Sequence, residues 1–167
     1  MRLLDGTTTV DDLDAFLATL DDVAAATGTT VQAFDADYVV SAAHLERALD
    51  RADRAIARGE NVARERAVEL LCYAAGRRQI NRALEMGVAE GEHRVVVLVD
   101  SPSGDEDDEA EAVELLRDHV DEAPVPGEYD AGAVRAFFDI GDAELDAVEG
   151  GLTELVLERV ALLDVEK

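Results

Sequence analysis

The stretch that decides the fold is Arg94-Val95-Val96-Val97-Leu98-Val99, which predicts the clearest strand in the chain. Its β-branched residues favour extended backbone, and its nearly continuous apolar character predicts that both of its faces are covered. A strand of this kind needs partners in a sheet. Arg2-Leu3-Leu4 predicts a short strand that ends at Gly6, and alternation over residues 30–36 predicts another.

Helical periodicity dominates the sequence on both sides of this strand. Apolar side chains recur at helical spacing from Val10 to Ala26, with Thr9 or Asp11 as the N-cap and Gly28 as the end. The other predicted helices cover residues 42–58, 63–75, 79–86, 133–138, 143–148 and 152–163, with one more from the acidic run 105–109 through Val120. This order predicts an α/β or α+β fold, a small mixed sheet flanked by several helices. The length of 167 residues predicts a single domain.

The charge of the chain is unusual in size and in distribution. The net charge is −24, and lysine occurs once among the 15 basic residues. Residues 44–94 carry ten arginines against nine acids, whereas residues 95–167 carry four basic residues against 22 acids. Acid excess with scarce lysine is typical of proteins in concentrated salt, where the Debye length falls to about 3 Å and self-repulsion is screened. We therefore expect a halophilic protein that meets a partner through its arginine-rich segment.

Several classes of protein are not indicated by this sequence. No apolar run approaches the ~18 residues of a membrane helix, and the N-terminus has no secretory signal pattern. The single cysteine, Cys72, excludes an internal disulfide, fits a reducing cytoplasm and is expected to be a small buried side chain. No histidine has a second ligand at zinc spacing, and no phosphate loop, nucleophile elbow or dinucleotide fingerprint occurs. We expect a cytoplasmic protein with no cofactor, no metal and no enzymatic activity.

The first candidate site lies directly after Gly76. Five hydrogen-bonding side chains follow this glycine: Arg77, Arg78, Gln79, Asn81 and Arg82. Such groups can hold phosphates and base edges, and Tyr73, one helical turn earlier, can stack on a base. The alternative interpretation is that the arginines are solvated and Tyr73 belongs to the core.

The second candidate site is a row of arginines on the predicted helix 42–58. Arg47, Arg51, Arg54 and Arg58 are spaced 4, 3 and 4 residues apart, which places them within about 60° on one helix face. One interpretation is a stripe that contacts phosphates. The other is an exposed, ion-paired helix, since Asp50 precedes Arg54 by four residues.

Two segments resemble a known family, the small kinase-binding subunit of the KEOPS complex, which is called PRPK-binding protein or TPRKB in animals. His44-Leu45-Glu46-Arg47-Ala48 is similar to the family's H-L-x-x-A helix, and Glu69-Leu70-Leu71-Cys72-Tyr73 stands at its E-x-L-x-Y helix. Residues 80–88 are similar to its I-x-x-A-L-x-x-G-(V/I) turn, which leads into a valine-rich strand. The similarity covers about residues 30–100, and the composition suggests a halophilic archaeal member.

The resemblance implies a role in tRNA modification. KEOPS installs threonylcarbamoyladenosine next to the anticodon, and a different subunit carries the transferase chemistry. A small atypical kinase, acting as an ATPase, bridges that subunit to the present family. The resemblance therefore implies that this chain is a non-catalytic partner of the kinase. Such a partner binds and stimulates the kinase and, in archaea, helps to recruit tRNA through its single-stranded 3′ CCA end.

We further expect an apolar edge beside the arginine cluster to dock the kinase. Its residues are Ile80, Leu84, Met86 and Val88, with Ile80 as the anchor. We place the RNA contacts on the residues that follow Gly76 and on Tyr73, with the arginine row of helix 42–58 behind them. Two alternatives stay open: a regulatory adaptor that does not contact RNA, and an enzyme whose dispersed site is invisible in one sequence.

Overall fold

The computed structural model describes residues 1–123 and 129–166, and these residues form two compact units. The sheet unit comprises residues 1–36 and 87–123, and the helical unit comprises residues 37–86 and 129–166. The predicted class, a small sheet accompanied by several helices, is confirmed. That the whole chain is one domain stays a prediction.

The elements follow one another in this order: β1 (Arg2–Val10), α1 (Leu13–Thr27), β2 (Thr30–Asp35), α2 (Ala42–Arg58), α3 (Arg66–Ala75), α4 (Ile80–Ala83), β3 (Gly91–Asp100), α5 (Glu106–Leu116), β4 (Asp121–Glu122), α6 (Ala131–Phe138), α7 (Asp142–Ala147) and α8 (Gly151–Glu166). Short 3₁₀ turns at Ala36–Tyr38 and Leu84–Met86 precede α2 and extend α4. None of the helices in the two described ranges has both the length and the apolar composition needed to cross a bilayer.

The sheet has the order β2-β3-β1-β4, and its three ladders are antiparallel. We had expected a mixed sheet. Instead, β3 lies between β1 and β2 and runs antiparallel to both of them. The clearest predicted strand is thus the longest one and pairs on both edges. Its two faces are buried as predicted, since Val95 to Val99 are at most 6% exposed.

The first strand differs from the prediction in its length. It does not end at Gly6 but continues to Val10, so α1 begins at Leu13 with Asp12 as its cap. Gly6 pairs with Val95 on one side and Glu122 on the other. A Cβ at Gly6 would collide with the carbonyl oxygen of Asp121, so glycine here permits close strand approach rather than ending the strand.

The core of the sheet unit lies on one face of the sheet, beneath α1 and α5. It joins Leu4, Val31, Val95, Val97 and Val99 to apolar side chains of both helices. Burial of this kind stabilises the unit by about 25 cal/mol per Å² of apolar surface. The surface of the same unit is strongly acidic, with 20 acidic residues against three arginines in its described residues.

The helical unit is built around α3, which is buried from Glu69 to Ala75 and packs against α2, α4 and α8. Ser41 caps α2 as expected, because its hydroxyl accepts the backbone N–H of His44 at 3.2 Å. Cys72 is buried, as predicted. The described residues of this unit carry eleven arginines against 18 acids, so most of the chain's basic side chains lie here.

Candidate functional site

The turn between α3 and α4 positions the candidate site. Gly76 ends α3 in the left-handed conformation (φ 61°), with its N–H bonded to the carbonyl of Tyr73 and the N–H of Arg77 bonded to that of Cys72. A Cβ at Gly76 would also lie 3.2 Å from the carbonyl oxygen of Arg159. The backbone therefore reverses sharply here and presents the next residues at the surface.

Seven side chains of residues 78–85 are exposed after this turn. We call six of them the α4 surface: Arg78, Gln79, Ile80, Asn81, Arg82 and Leu84. The seventh is Glu85, whose carboxylate lies 3.6 Å from Nε of Arg82. Ile80 and Leu84 are 40% and 56% exposed and lie four residues apart, on one side of the segment. The arginines and amides alternate with them, while Ala83 and Met86 point inward and are fully buried. The structure thus brings most of the predicted contact residues together on one short segment.

Arg77 is less exposed than the residues of the α4 surface, and its guanidinium is engaged within the helical unit. One terminal nitrogen donates to the carbonyl of Phe137 at the end of α6, and the guanidinium carbon lies 5.3 Å from the centroid of the Phe137 ring. The same nitrogen is 3.5 Å from the carboxylate of Asp139. Arg77 therefore holds the C-terminus of α6. The sequence suggested that it is a freely presented RNA contact, and the structure does not place it so.

A second arginine holds the same helix end. Arg159 of α8 donates from Nε to the carbonyl of Phe138 at 3.2 Å and from a terminal nitrogen to the carboxylate of Glu144 at 2.9 Å. Asp139 closes α6 with φ 54°, the one positive φ among the non-glycine residues of the described ranges. Cations suit a helix C-terminus, where the carbonyls are unpaired and the dipole is negative.

Tyr73 was predicted as a platform for a base, and the structure corrects this. The side chain is fully buried, and its hydroxyl donates to Asp164 of α8. Arg51 of α2 pairs with the same carboxylate at 2.9 Å. Burial raises the pKa of Tyr73 above its ordinary value, and the bond to Asp164 raises it further. Tyr73 joins α3 to α8 and offers no face to a ligand.

The predicted kinase-binding edge keeps only two of its four residues at the surface. Met86 is fully buried, and Val88, 9% exposed, belongs to the core of the sheet unit. Neither side chain can anchor a partner without the core opening. Ile80 and Leu84 remain as the exposed apolar residues of that prediction.

The arginine row of α2 largely has the ion-paired character of the alternative interpretation. Arg54 pairs with Asp50 at 3.2 Å across one turn, and Arg51 is committed to Asp164. Arg47 and Arg58 are exposed. The carboxylate of each pair competes with a phosphate for the same guanidinium, so this row offers less to RNA than its sequence spacing suggested.

Two buried polar residues support the turn, and the sequence pattern predicted neither role. His44 of α2 accepts the N–H of Val40 on Nδ1 at 3.4 Å, so its Nε2 carries the proton and donates to the carbonyl of Ala74 at 2.7 Å. Burial lowers the pKa of His44 to about 4. Glu69 accepts the N–H groups of Val62 and Ala63, which orders the loop before α3. Both residues lie in helices with strong apolar patterns, where a single polar residue does not by itself predict a buried hydrogen bond.

Two clefts flank the turn. The Arg78 cleft, about 280 Å³, is lined by Gly76, Arg77, Arg78 and Gln79. The Asp139 cleft, about 180 Å³, is lined by Ala75, Gly76, Arg77, Phe138, Asp139 and Arg159. In the described parts of the chain no group of three metal-ligating side chains comes together. The α4 surface presents guanidinium, amide and apolar side chains.

Comparison with known families gives a match over most of the chain. The model of a family described as kinase binding protein CGI-121 matches residues 11–164. A search of individual curated proteins gave no match. The matched range runs from the start of α1 to the last turns of α8 and includes the α4 surface. The chain therefore belongs to the CGI-121 family of kinase-binding proteins.

Proposed function

We propose that this chain is the non-catalytic subunit of a KEOPS complex that binds and stimulates its small atypical kinase. We further propose that it helps to recruit tRNA through the 3′ CCA end for threonylcarbamoyladenosine synthesis by the transferase subunit, in the cytoplasm of a halophile. The kinase-binding family and the α4 surface support this proposal. The observation that carries it is the exposure of arginine, amide and apolar side chains on one short segment.

The RNA part of the proposal follows from the chemistry of that surface. A chain of net charge −24 repels RNA at long range, and concentrated salt removes most of the counterion-release gain. Affinity must come from short-range contacts. Arg78 and Arg82 can make paired hydrogen bonds to phosphates, and the amides of Gln79 and Asn81 can reach base edges. Single-stranded ends expose those edges, whereas a duplex hides them.

The kinase part of the proposal places Ile80 at the centre of the contact, with Leu84 beside it. An apolar side chain that is 40% exposed in the free protein gains burial when a partner covers it. Interface anchors of this kind commonly cost more than about 1 kcal/mol of binding when truncated. Leu17 of α1 is 41% exposed and lies in the sheet unit, so it is a matched control.

Two binding measurements in multimolar salt test the proposal. Filter binding should show tight binding of full-length tRNA, weak binding of tRNA that lacks CCA, and loss of binding by the double variant Arg78→Ala, Arg82→Ala. The control Arg117→Ala removes an arginine that is paired with Glu114 and Glu122 in the sheet unit and should bind as the wild type does. If the double variant also binds like the wild type, RNA recruitment is wrong and the chain is an adaptor without RNA contact.

Co-purification with the kinase tests the other half of the proposal. Ile80→Glu should release the kinase while the chain keeps its circular dichroism spectrum, and Leu17→Glu should retain it. If Ile80→Glu retains the kinase in a folded protein, the kinase docks elsewhere. If it unfolds the chain, Ile80 is a core residue despite its exposure.

A further inference from the structure

The two clefts beside Gly76 and Arg77 stand apart from the rest of this acidic chain. Three arginines line them, Arg77, Arg78 and Arg159, against one carboxylate, that of Asp139. A cleft of about 320 Å³ in the sheet unit has the opposite charge balance, since Arg2 and the N-terminal ammonium of Met1 meet three acids there. Clefts lined by one sign of charge focus the potential and concentrate ions of the opposite sign.

The guanidinium of Arg77 is incompletely satisfied in this arrangement. Its terminal nitrogen reaches the carbonyl of Phe137, but its Nε is buried and has no hydrogen-bond partner in the described part of the chain. An unpaired buried donor costs about 1–3 kcal/mol, so an acceptor that reaches it is favoured. Gly76 lines both clefts and contributes no side chain, so its backbone is open to a ligand beside the guanidinium of Arg77.

Asp139 is the one acid that lines the clefts, since Glu144, which pairs with Arg159, is not part of their lining. Its carboxylate is 81% exposed, yet it lies 3.5 Å from a terminal nitrogen of Arg77. The residue also adopts the left-handed conformation, which non-glycine residues rarely use and which costs them about 1–2 kcal/mol. A carboxylate held beside an arginine fork in this way occupies the position that a ligand oxyanion would take.

We propose that the two clefts form one binding site for a phosphate group and that Asp139 is its internal competitor. The Asp139 cleft has room for roughly six waters, which is enough for a phosphate that replaces the carboxylate beside Arg77. The phosphate can come from an RNA backbone or from a free nucleotide. The link to RNA rests on the proposed function, whereas the site itself does not.

The test is a titration of the full chain with inorganic phosphate, at constant ionic strength in potassium chloride, followed by amide NMR shifts. Saturating shifts are expected at Gly76, Arg77 and Asp139. Asp139→Asn removes the competing charge and keeps a side chain that tolerates the left-handed conformation. Because an exposed ion pair contributes modestly, the variant should bind phosphate about two- to fivefold more tightly.

Asp142→Asn is the matched control, since Asp142 is an exposed acid that pairs with Arg135 and does not line either cleft. It should bind phosphate as the wild type does. Shifts that never saturate, or equal affinities of the two variants, would overturn the inference and mark the phosphate as an adventitious ion only. Thermal melts of both variants confirm that each is folded.

Two further ligands identify the source of the phosphate. An oligoribonucleotide ending in CCA and adenosine monophosphate are titrated in the same way. If the oligonucleotide shifts the cleft residues at lower concentration, the site serves RNA; if the mononucleotide does so, it serves a free nucleotide. If tRNA binds and inorganic phosphate does not, the site is refuted while the proposed function stands, so the two failures are distinguishable.

Discussion

Two neighbouring arginines should differ in how much the replacement of each one changes the stability of the protein. Arg77 and Arg78 are adjacent in the sequence and were equivalent candidates for RNA contact. In the structure Arg77 caps the end of α6, whereas Arg78 is exposed on the α4 surface. Arg77→Ala should therefore destabilise the helical unit, and Arg78→Ala should leave its stability nearly unchanged.

The magnitude follows from the contacts of Arg77. A hydrogen bond from a charged donor is worth about 1.5–3 kcal/mol, and a cation–π contact such as that with Phe137 adds about 0.5–1 kcal/mol. The side chain is 24% exposed, the contributions are not independent, and removal of the unpaired buried Nε offsets part of them, so we expect a net loss of about 1 kcal/mol. For a chain of this length that is a decrease of about 2–4 °C in Tm. Arg78→Ala should stay within about 0.5 kcal/mol of the wild type.

Thermal melts in multimolar potassium chloride, followed by circular dichroism, measure this difference. Hydrogen exchange should locate the loss in α6, where the amides of Phe137 and Phe138 report the helix end. Arg77→Lys keeps the charge but loses the planar fork and should recover only part of the loss. Equal melting temperatures for Arg77→Ala and Arg78→Ala would refute the capping role.

Four other outcomes are expected. Tyr73→Phe should lose about 1 kcal/mol of stability and bind tRNA normally, because its hydroxyl bonds to Asp164 and its ring is buried. The pKa of His44 is lowered from 6.5 to about 4, so the unfolded chain takes up the extra proton as the pH falls below 6.5. The free energy of unfolding should therefore decrease from pH 6.5 to about 4, by up to about 1.4 kcal/mol per pH unit, and His44→Asn should remove this decrease. Lowering the salt should reduce protection from hydrogen exchange, first in residues 95–167, as the Debye length grows from about 3 to about 10 Å. The logarithm of tRNA affinity should fall with the logarithm of salt at a slope of about −1.4, set by two arginines, Arg78 and Arg82.

Much of the fold could be predicted from periodicity, because most elements follow their local pattern. The strand at Val95–Val99 and helix α2, with Ser41 and Gly59 at its ends, are of this kind. Gly6 shows where local reasoning fails. A glycine in isolation suggests the end of a strand, but here the partners on both sides, distant in sequence, require a residue without Cβ.

The candidate site was predicted in part, for a related reason. Residues 78–82 were expected to be accessible because they follow a helix end and are polar, and they are exposed. Tyr73 and Met86 were misplaced. Helix α3 is buried from Glu69 to Ala75, and its positions 70–75 are all apolar, so the periodicity there does not separate an inner face from an outer face. The role of Arg77 depends on its contact with Phe137 of α6, which lies 60 residues later in the chain, and no local sequence pattern predicts such a contact.

The salt dependence of tRNA binding decides which arginines meet the RNA. For single strands the slope is about −0.7 per phosphate contact, so the two exposed arginines of the α4 surface give about −1.4. If the row on α2 also took part, Arg47, Arg51 and Arg54 would raise the number of contacts to five and steepen the slope to about −3.5. The structure favours the smaller value, because Arg51 and Arg54 lie 2.9 and 3.2 Å from their carboxylates, closer than the 3.6 Å that separates Arg82 from Glu85. A shallow slope also fits a protein of net charge −24 that must hold RNA in concentrated salt, since binding that depends little on counterion release loses little there.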